Sequence, residues 1–278
     1  KRLGVFGEWD SPYLTMSNTY EAETAELFGR FVEKGNVYRG LKPVHWCISC
    51  ETALAEAEVE YKDHSSPSVY VKFALTSSPE DLHPKLANRK VYVLIWTTTP
   101  WTLPANLAVC FHPQFEYSFV EVNQEVYVIA QELLEVAIRE CKFENYQVLG
   151  SVRGEILQNI RLRHPWLERE SKSLLASHVT LEQGTGAVHT APGHGHEDYQ
   201  IGVENGLDVF CPVDSSGHFT PDVEYFAGQQ VFEANPKINR FMKAHDALVA
   251  EQNIVHSYPH CWRCHNPVIF RATPQWFI

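Results

Sequence analysis

Three groups of residues in this chain of 278 have types and spacings that suit chemistry. The first is two CxxC pairs, Cys47-Ile-Ser-Cys50 and Cys261-Trp-Arg-Cys264, each placing two sulfurs on a tight turn. A tetrahedral zinc site takes that arrangement from each of two knuckles, and four thiolates leave no open position, so a zinc held there is structural. With 210 residues between Cys50 and Cys261, a shared site requires the chain to leave and return to one place, as it does around an inserted domain. The alternatives are unrelated buried cysteines or a redox pair, and neither pair shows the βαβ context of the latter.

The second group is the stretch from Gly184 to Tyr199, GTGAVHTAPGHGHEDY, where His189, His194, His196, Glu197 and Asp198 crowd into a glycine-rich frame. One reading is a metal hydrolase. His194-Gly195-His196-Glu197-Asp198 approaches an HxHxD pattern in which a metal-bound water is the nucleophile, with Tyr199 standing where a further histidine is usual. The other reading makes His189 and Asp198 pocket walls on either side of a Gly-Pro turn. A carboxylate there can hold an ammonium group by a charge-assisted hydrogen bond, although Asp198 can also be an ordinary first-turn acid favoured by the helix dipole.

The third group, IWTTTPWTLPAN from Ile95 to Asn106, ends an apolar run in threonines. Thr97, Thr98 and Thr99 can be plain strand residues with alternate hydroxyls exposed. Alternatively, Pro100 and Pro104 interrupt the ladder and free hydroxyls and backbone N–H groups to hold water and a ribose. Trp96 and Trp101 then belong to the core or a pocket wall.

The elements that must position these groups follow from periodicity. Apolar residues at near-helical spacing predict a helix from Thr19 to Lys34, with Gly35-Asn36 as its stop. The segment after the first CxxC alternates but is not assignable by period alone. From Ser68 the period is two: Val69, Val71, Phe73 and Leu75 alternate, then VYVLIW, YSFVEV and VYVIA follow at hairpin-like intervals. Helices are expected at Gln131–Cys141, His196–Asn205 and Phe232–Gln252. Many short strands with a few helices predict a closed or strongly curved β-core decorated by helices.

Composition narrows the function classes. A net charge of −11 argues against coating nucleic acid along a broad basic face, which requires neutralising many phosphates; a short single-stranded end can still be held locally. Seven cysteines, an odd number, suit a reducing compartment better than a disulfide framework. Cys110, Cys141 and Cys211 read as small buried hydrophobes. VYVLIW is far too short to span a membrane and no signal segment opens the chain, so a soluble, cytoplasmic protein is expected. The opening lysine and the apolar ending FRATPQWFI suggest a piece of a longer chain.

Taken together, WTTTPWTLPAN, GTGAVHTAPGHGHED, KPVHWCISCETALAEAEVEY and SYPHCWRC with PVIFRATPQWF resemble the connective insertion of the isoleucyl-tRNA synthetase family. Sister valyl and leucyl enzymes typically carry Thr-Thr-Arg-Pro where this chain has Thr97-Thr98-Thr99-Pro100. The resemblance covers essentially the whole chain. It implies a β-barrel-like editing core with a zinc-knuckle stalk: residues 1–66 connect and carry the first knuckle, 67–255 edit, and 256–278 carry the second knuckle and return. HIGH and KMSKS signatures are absent, so no tRNA charging is expected, ATP belonging to the catalytic core outside this piece.

The implied activity is hydrolysis of valine wrongly esterified to tRNA(Ile), with the acceptor end as partner and a monomer expected. One methylene in a hydrophobic pocket discriminates by only about 1–3 kcal/mol, isoleucine and valine being the usual worked example, so a second, smaller site removes what fits. By the resemblance, Asp198 anchors the α-ammonium, His189 stands beside the side-chain pocket, Thr97, Thr98 and Thr99 surround the terminal adenosine and ester, and Asn106 closes that motif. Zinc at Cys47, Cys50, Cys261 and Cys264 is structural and hydrolysis needs none. A metal-dependent hydrolase and a noncatalytic acceptor-end binding module remain the competing readings.

Overall fold

A computed structural model of the chain describes residues 2 and 4–278. It divides into two units, Lys1–Leu41 with Pro274–Ile278 and Lys42–Thr273. In the first, helix α1 (Asn18–Glu33) starts where the Ser17 side chain accepts the Tyr20 N–H. The helix buries none of its residues, so Leu27, Phe28, Phe31 and Val32 stay exposed.

The second unit holds the candidate sites. Strands β1 (Tyr38–Cys47) and β2 (Thr52–Leu54) pair as a hairpin, His45 opposite Leu54 and Cys47 opposite Thr52. The long strand β3 (Val59–Leu75) begins well before the Ser68 that alternation alone indicates. Its first half lies among Glu, Lys, Asp and His side chains that carry no apolar period, and it is fixed by a partner far along the chain. Strands β4 (Lys90–Thr97), β5 (Ala108–Phe111), β6 (Glu116–Val122) and β7 (Glu125–Ala130) follow. Helix α2 (Leu134–Glu140) then leads to β8 (Gln147–Arg153), β9 (Arg161–Arg163), β10 (Glu170–Leu175) and β11 (Ala187–Thr190). Helices α3 (His196–Glu204) and α4 (Val231–Ala244) precede β12 (Leu248–Cys261) and β13 (Ile269–Phe277).

The expected helix Phe232–Gln252 is therefore corrected: it stops at Ala244, and residues 248–261 are strand. The physical reason lies at Asp246, whose φ of 55° is left-handed. The Ala247 N–H returns to the Met242 carbonyl at 2.9 Å, closing the helix end. Beyond it, β12 pairs antiparallel with β3 from Leu248 opposite Val71 to Cys261 opposite Val59.

Of the closed or strongly curved core expected, the closed form is corrected. Ten strands form one open sheet in the order β11-β5-β10-β9-β3-β4-β7-β6-β8, with β12 beside β3. The sheet bends enough for the Ala130 N–H at the end of β7 to reach the Thr185 carbonyl just before β11, 2.8 Å away. The result is a mixed α/β fold. Alternation along β4 explains what each face does: Val91, Val93 and Ile95 enter the main core with Phe73, Phe111 and Phe119, while Leu94 and its neighbours Tyr92 and Trp96 pack on the α2 side. Each large side chain buried this way contributes about 2–3 kcal/mol of transfer free energy. Among the described residues, no helix is long and apolar enough to cross a membrane.

Candidate functional site

The threonine segment sits where β4 stops. Thr97 shares the inward face of Ile95 and is buried; Thr98 and Thr99 are half-buried; residues Pro100–Ala105 then turn into a short 3-10 helix that takes up both prolines. The hydroxyls form a chain. The Thr99 N–H donates to Thr97 Oγ1 at 3.1 Å, the Thr97 and Thr99 hydroxyls lie 3.1 Å apart, and Thr99 and Thr102 3.4 Å apart. Thr102 donates to the Thr99 carbonyl at 2.9 Å, so its oxygen is left to accept.

His189 on β11 completes that chain from behind. Its Nε2 is 2.8 Å from Thr102 Oγ1 and its Nδ1 is 3.1 Å from Asn106 Nδ2, an amide nitrogen that can only donate. The proton therefore rests on Nε2, which donates to Thr102. Burial holds the ring neutral by pushing its pKa down to about 3, with His194 adding a smaller push. Asn106 is itself fully buried, giving Nδ2 also to the Ala108 carbonyl at 2.7 Å and accepting the Ser171 hydroxyl at 2.7 Å.

On the other side of the threonines a cavity of about 460 Å³ opens, lined by Trp96, Thr97, Thr98, His178, Thr180, Glu182, Gln183, the 184–188 loop, Glu197 and Asp198. Asp198 enters it from the first turn of α3, and its Oδ2 accepts the Ala191 N–H at 2.8 Å. Desolvation raises its carboxyl to about 7, against the lowering effect of that N–H. A carboxyl so desolvated gains most from a cation brought beside it.

Of the residues singled out in the sequence, Trp96, Thr97, Thr98 and Asp198 meet in this cavity. Thr99 joins through its hydroxyl and lines a neighbouring 410 Å³ cavity with Thr98, Trp101 and Asn235. His189 and Asn106 line neither cavity; they lie behind, coupled through Thr102. Sequence reasoning missed His178, Thr180, Glu182 and Gln183, while Glu197, noted there only within the HGHED segment, lines the cavity too. The polar run just before Gly184-Thr185-Gly186 was the available signal. His178 is notable because its Nε2 is buried without a hydrogen-bond partner.

The HGHED segment does not gather as a metal site. His194 is buried with Nδ1 3.0 Å from the Phe270 carbonyl, which fixes that proton, whereas His196 is exposed beside Gln200. Among the described residues, the group whose donor atoms converge is Cys47, Cys50, Cys261 and Cys264, with sulfurs within 4.8 Å of one another. Cys47 and Cys264 sulfurs are 3.5 Å apart, close to the edge of roughly 3.8 Å that four Zn–S bonds of 2.3 Å imply. The two knuckles match locally: Glu51 (φ 48°) and His265 (φ 59°) each follow the second cysteine in left-handed backbone. The donor set thus fits a structural zinc. Cys110 and Cys141 are buried as expected, and Cys211 is half-buried.

This fold and these sites belong to a known class: residues 1–278 match the class I tRNA synthetases of the I, L, M and V type, and the chain belongs to that family. Within it, the chain is 54% identical over its whole length to an isoleucine–tRNA ligase of Syntrophotalea carbinolica and 51% identical to that of Petrotoga mobilis. The chain spans about 30% of the length of these relatives. Among solved structures it resembles a leucyl-tRNA synthetase CP1 domain, GlLeuRS-CP1, with TM-score 0.54 and 16% identity over 66% of this chain and 98% of that one. It also resembles the cytosolic leucyl-tRNA synthetase editing domain of P. falciparum, with TM-score 0.51 and 11% identity over 69% and 99% of the two chains. These likenesses establish the fold.

Proposed function

We propose that this chain is the editing domain of an isoleucine–tRNA ligase and hydrolyses valine wrongly esterified to tRNA(Ile). The observation that carries the reading is the desolvated carboxyl of Asp198 facing the threonine segment across one cavity. Asp198 holds the α-ammonium; that cation stabilises the charged carboxylate that burial disfavours. Trp96 walls the cavity. Thr97, Thr98 and Thr99 orient the terminal ribose and a water, and His189, held by Asn106, supports Thr102 behind them.

Water adds to the ester carbonyl, the bond to the ribose oxygen breaks, that oxygen takes a proton, and valine leaves. The site's contribution is positioning and stabilisation of the developing oxyanion, since an aminoacyl ester is already activated. Isoleucine is rejected by bulk against this scaffold. A zinc on the four cysteines would clamp the two knuckles and stand outside the reaction. The connecting segment to residue 66, the editing domain 67–255 and the return 256–278 are the corresponding division. ATP use belongs to the remainder of the ligase, and a cytoplasmic monomer completes the proposal.

The test is to add the purified chain to Val-tRNA(Ile) and Ile-tRNA(Ile) and measure amino acid release. Release of valine with isoleucine retained is expected. Binding of the acceptor end without release would instead support the noncatalytic module, and loss of release on chelation would support the metal hydrolase.

A further inference from the structure

The wall that Trp96 gives the cavity is held from two sides. On one, its indole Nε1 donates to Ser68 Oγ at 2.7 Å. Ser68 is fully buried on β3, two residues before Tyr70, the cross-strand partner of Trp96. A buried hydroxyl is costly unless hydrogen-bonded, so the indole accounts for a serine at this apolar position. On the other side stands Gly184, whose φ is +82° and at which any Cβ would lie 3.2 Å from Trp96 Cβ and Cε3.

The glycine loop cannot retreat to make room. At Gly186 a Cβ would fall 2.3 Å from Ala130 Cβ, and the Tyr117 hydroxyl donates to the Gly186 carbonyl at 2.6 Å. The indole therefore occupies a gap whose two sides are both anchored to the sheet. Ser68 itself does not line the cavity, so whatever it does there passes through Trp96.

We infer that Ser68 is a positioning residue: by fixing the Trp96 indole against the 184–186 loop, it sets the width of the cavity that takes the aminoacyl nucleoside. This rests on the proposed hydrolysis for its substrate, but not for its geometry. Two measurements on the 278-residue chain separate the two. In the first, 5-fluorotryptophan labelling gives one fluorine resonance for each of the seven tryptophans, and Trp96→Phe assigns the line of interest. Ser68→Ala should shift and broaden that line, and Ser68→Thr should restore it.

In the second, steady-state deacylation of Val-tRNA(Ile), Ser68→Ala should raise KM about 3–10-fold, the range of one hydrogen bond, with kcat within about twofold. Trp96→Phe should raise KM as well. Combining it with Ser68→Ala should cost nothing further, because no indole N–H is left to hold. An unmoved fluorine line in Ser68→Ala, or single-variant effects that multiply in the double variant, would overturn the assignment. A wild-type chain that hydrolyses nothing would remove the proposed function, while the fluorine line would still decide the role of Ser68.

Discussion

The cysteine cluster and the threonine cavity are both assembled from residues far apart in sequence, yet they are built on opposite terms. At the cysteines, donors converge on one another: sulfurs within 4.8 Å, drawn from two matching turns. At the cavity, the threonine hydroxyls and the ring of His189 meet at the Thr102 oxygen, and Asp198 accepts a single backbone N–H. A set of donors closed on itself can hold but has nothing left to offer a substrate. A desolvated carboxyl at the edge of a cavity, by contrast, keeps an oxygen with which to meet a cation.

That contrast can be broken most directly at Asp198. Asp198→Ala should lower kcat/KM for Val-tRNA(Ile) deacylation about 100-fold or more, the scale of removing one partner of a desolvated charge pair. Zinc content measured in the same samples should be unchanged; full hydrolysis would show that the cavity does not depend on this carboxyl. Next in size is His189→Ala, which removes one hydrogen bond each from Thr102 and Asn106 and leaves a void. A loss of roughly 2–4 kcal/mol in urea unfolding is expected, together with measurable attack on Ile-tRNA(Ile). A stable variant with intact discrimination would sever His189 from the threonine chain.

Chelation probes the closed set. Removing metal should expose four reactive thiols to a colorimetric thiol reagent and lower the melting temperature by several degrees. The rate of valine release should change less than threefold, and a complete loss in a chain that stays folded would favour the metal hydrolase.

Last, pH probes the cavity side. Because the Asp198 carboxyl is raised to about 7, binding of a cationic ester should strengthen as pH rises through that value, and kcat/KM should climb up to tenfold per unit below it; Asp198→Asn should flatten the rise. Stability falls in the same direction as pH is lowered. His164 and His189 are depressed to about 3 and His194 to about 4, each chiefly by burial. The unfolded chain therefore takes up protons that the folded one refuses as pH falls below 6.5. Each ring then costs up to about 1.4 kcal/mol per pH unit, and denaturant titrations between pH 7 and 5 should show it. Asp198 offsets part of this, since its raised pKa makes protonation favour the folded state between about 4 and 7.

Much of this was legible in the residues and some was not, for identifiable reasons. Two CxxC pairs with matched spacing announce a shared site because thiol geometry is local to a turn, even when 210 residues intervene. The alternation of Val91, Val93 and Ile95 gave β4, and the prolines at 100 and 104 gave its end. By contrast, the first half of β3 is polar and β12 carries no clear alternation, and both are strands because they pair with each other. Nothing in either segment alone shows the partner, so Leu248–Gln252 read as a continuation of α4. His189 was visible as chemistry but not its placement. Whether a histidine lines a cavity or stands behind one depends on which way β11 turns its faces, and that is set by β5 beside it.

The ribbon of β3 and β12 also carries a length rule. It runs unbroken from Cys261 opposite Val59 inward past His256 opposite His64. Successive side chains on a strand point to opposite faces, so deleting one residue from one arm turns over everything between the slip and the cysteines. Deleting two residues from each arm would only draw the knuckles in by about 6.8 Å. Natural variation in this ribbon should therefore come in even, matched steps, a constraint on the spacing between the cysteines that no single strand imposes.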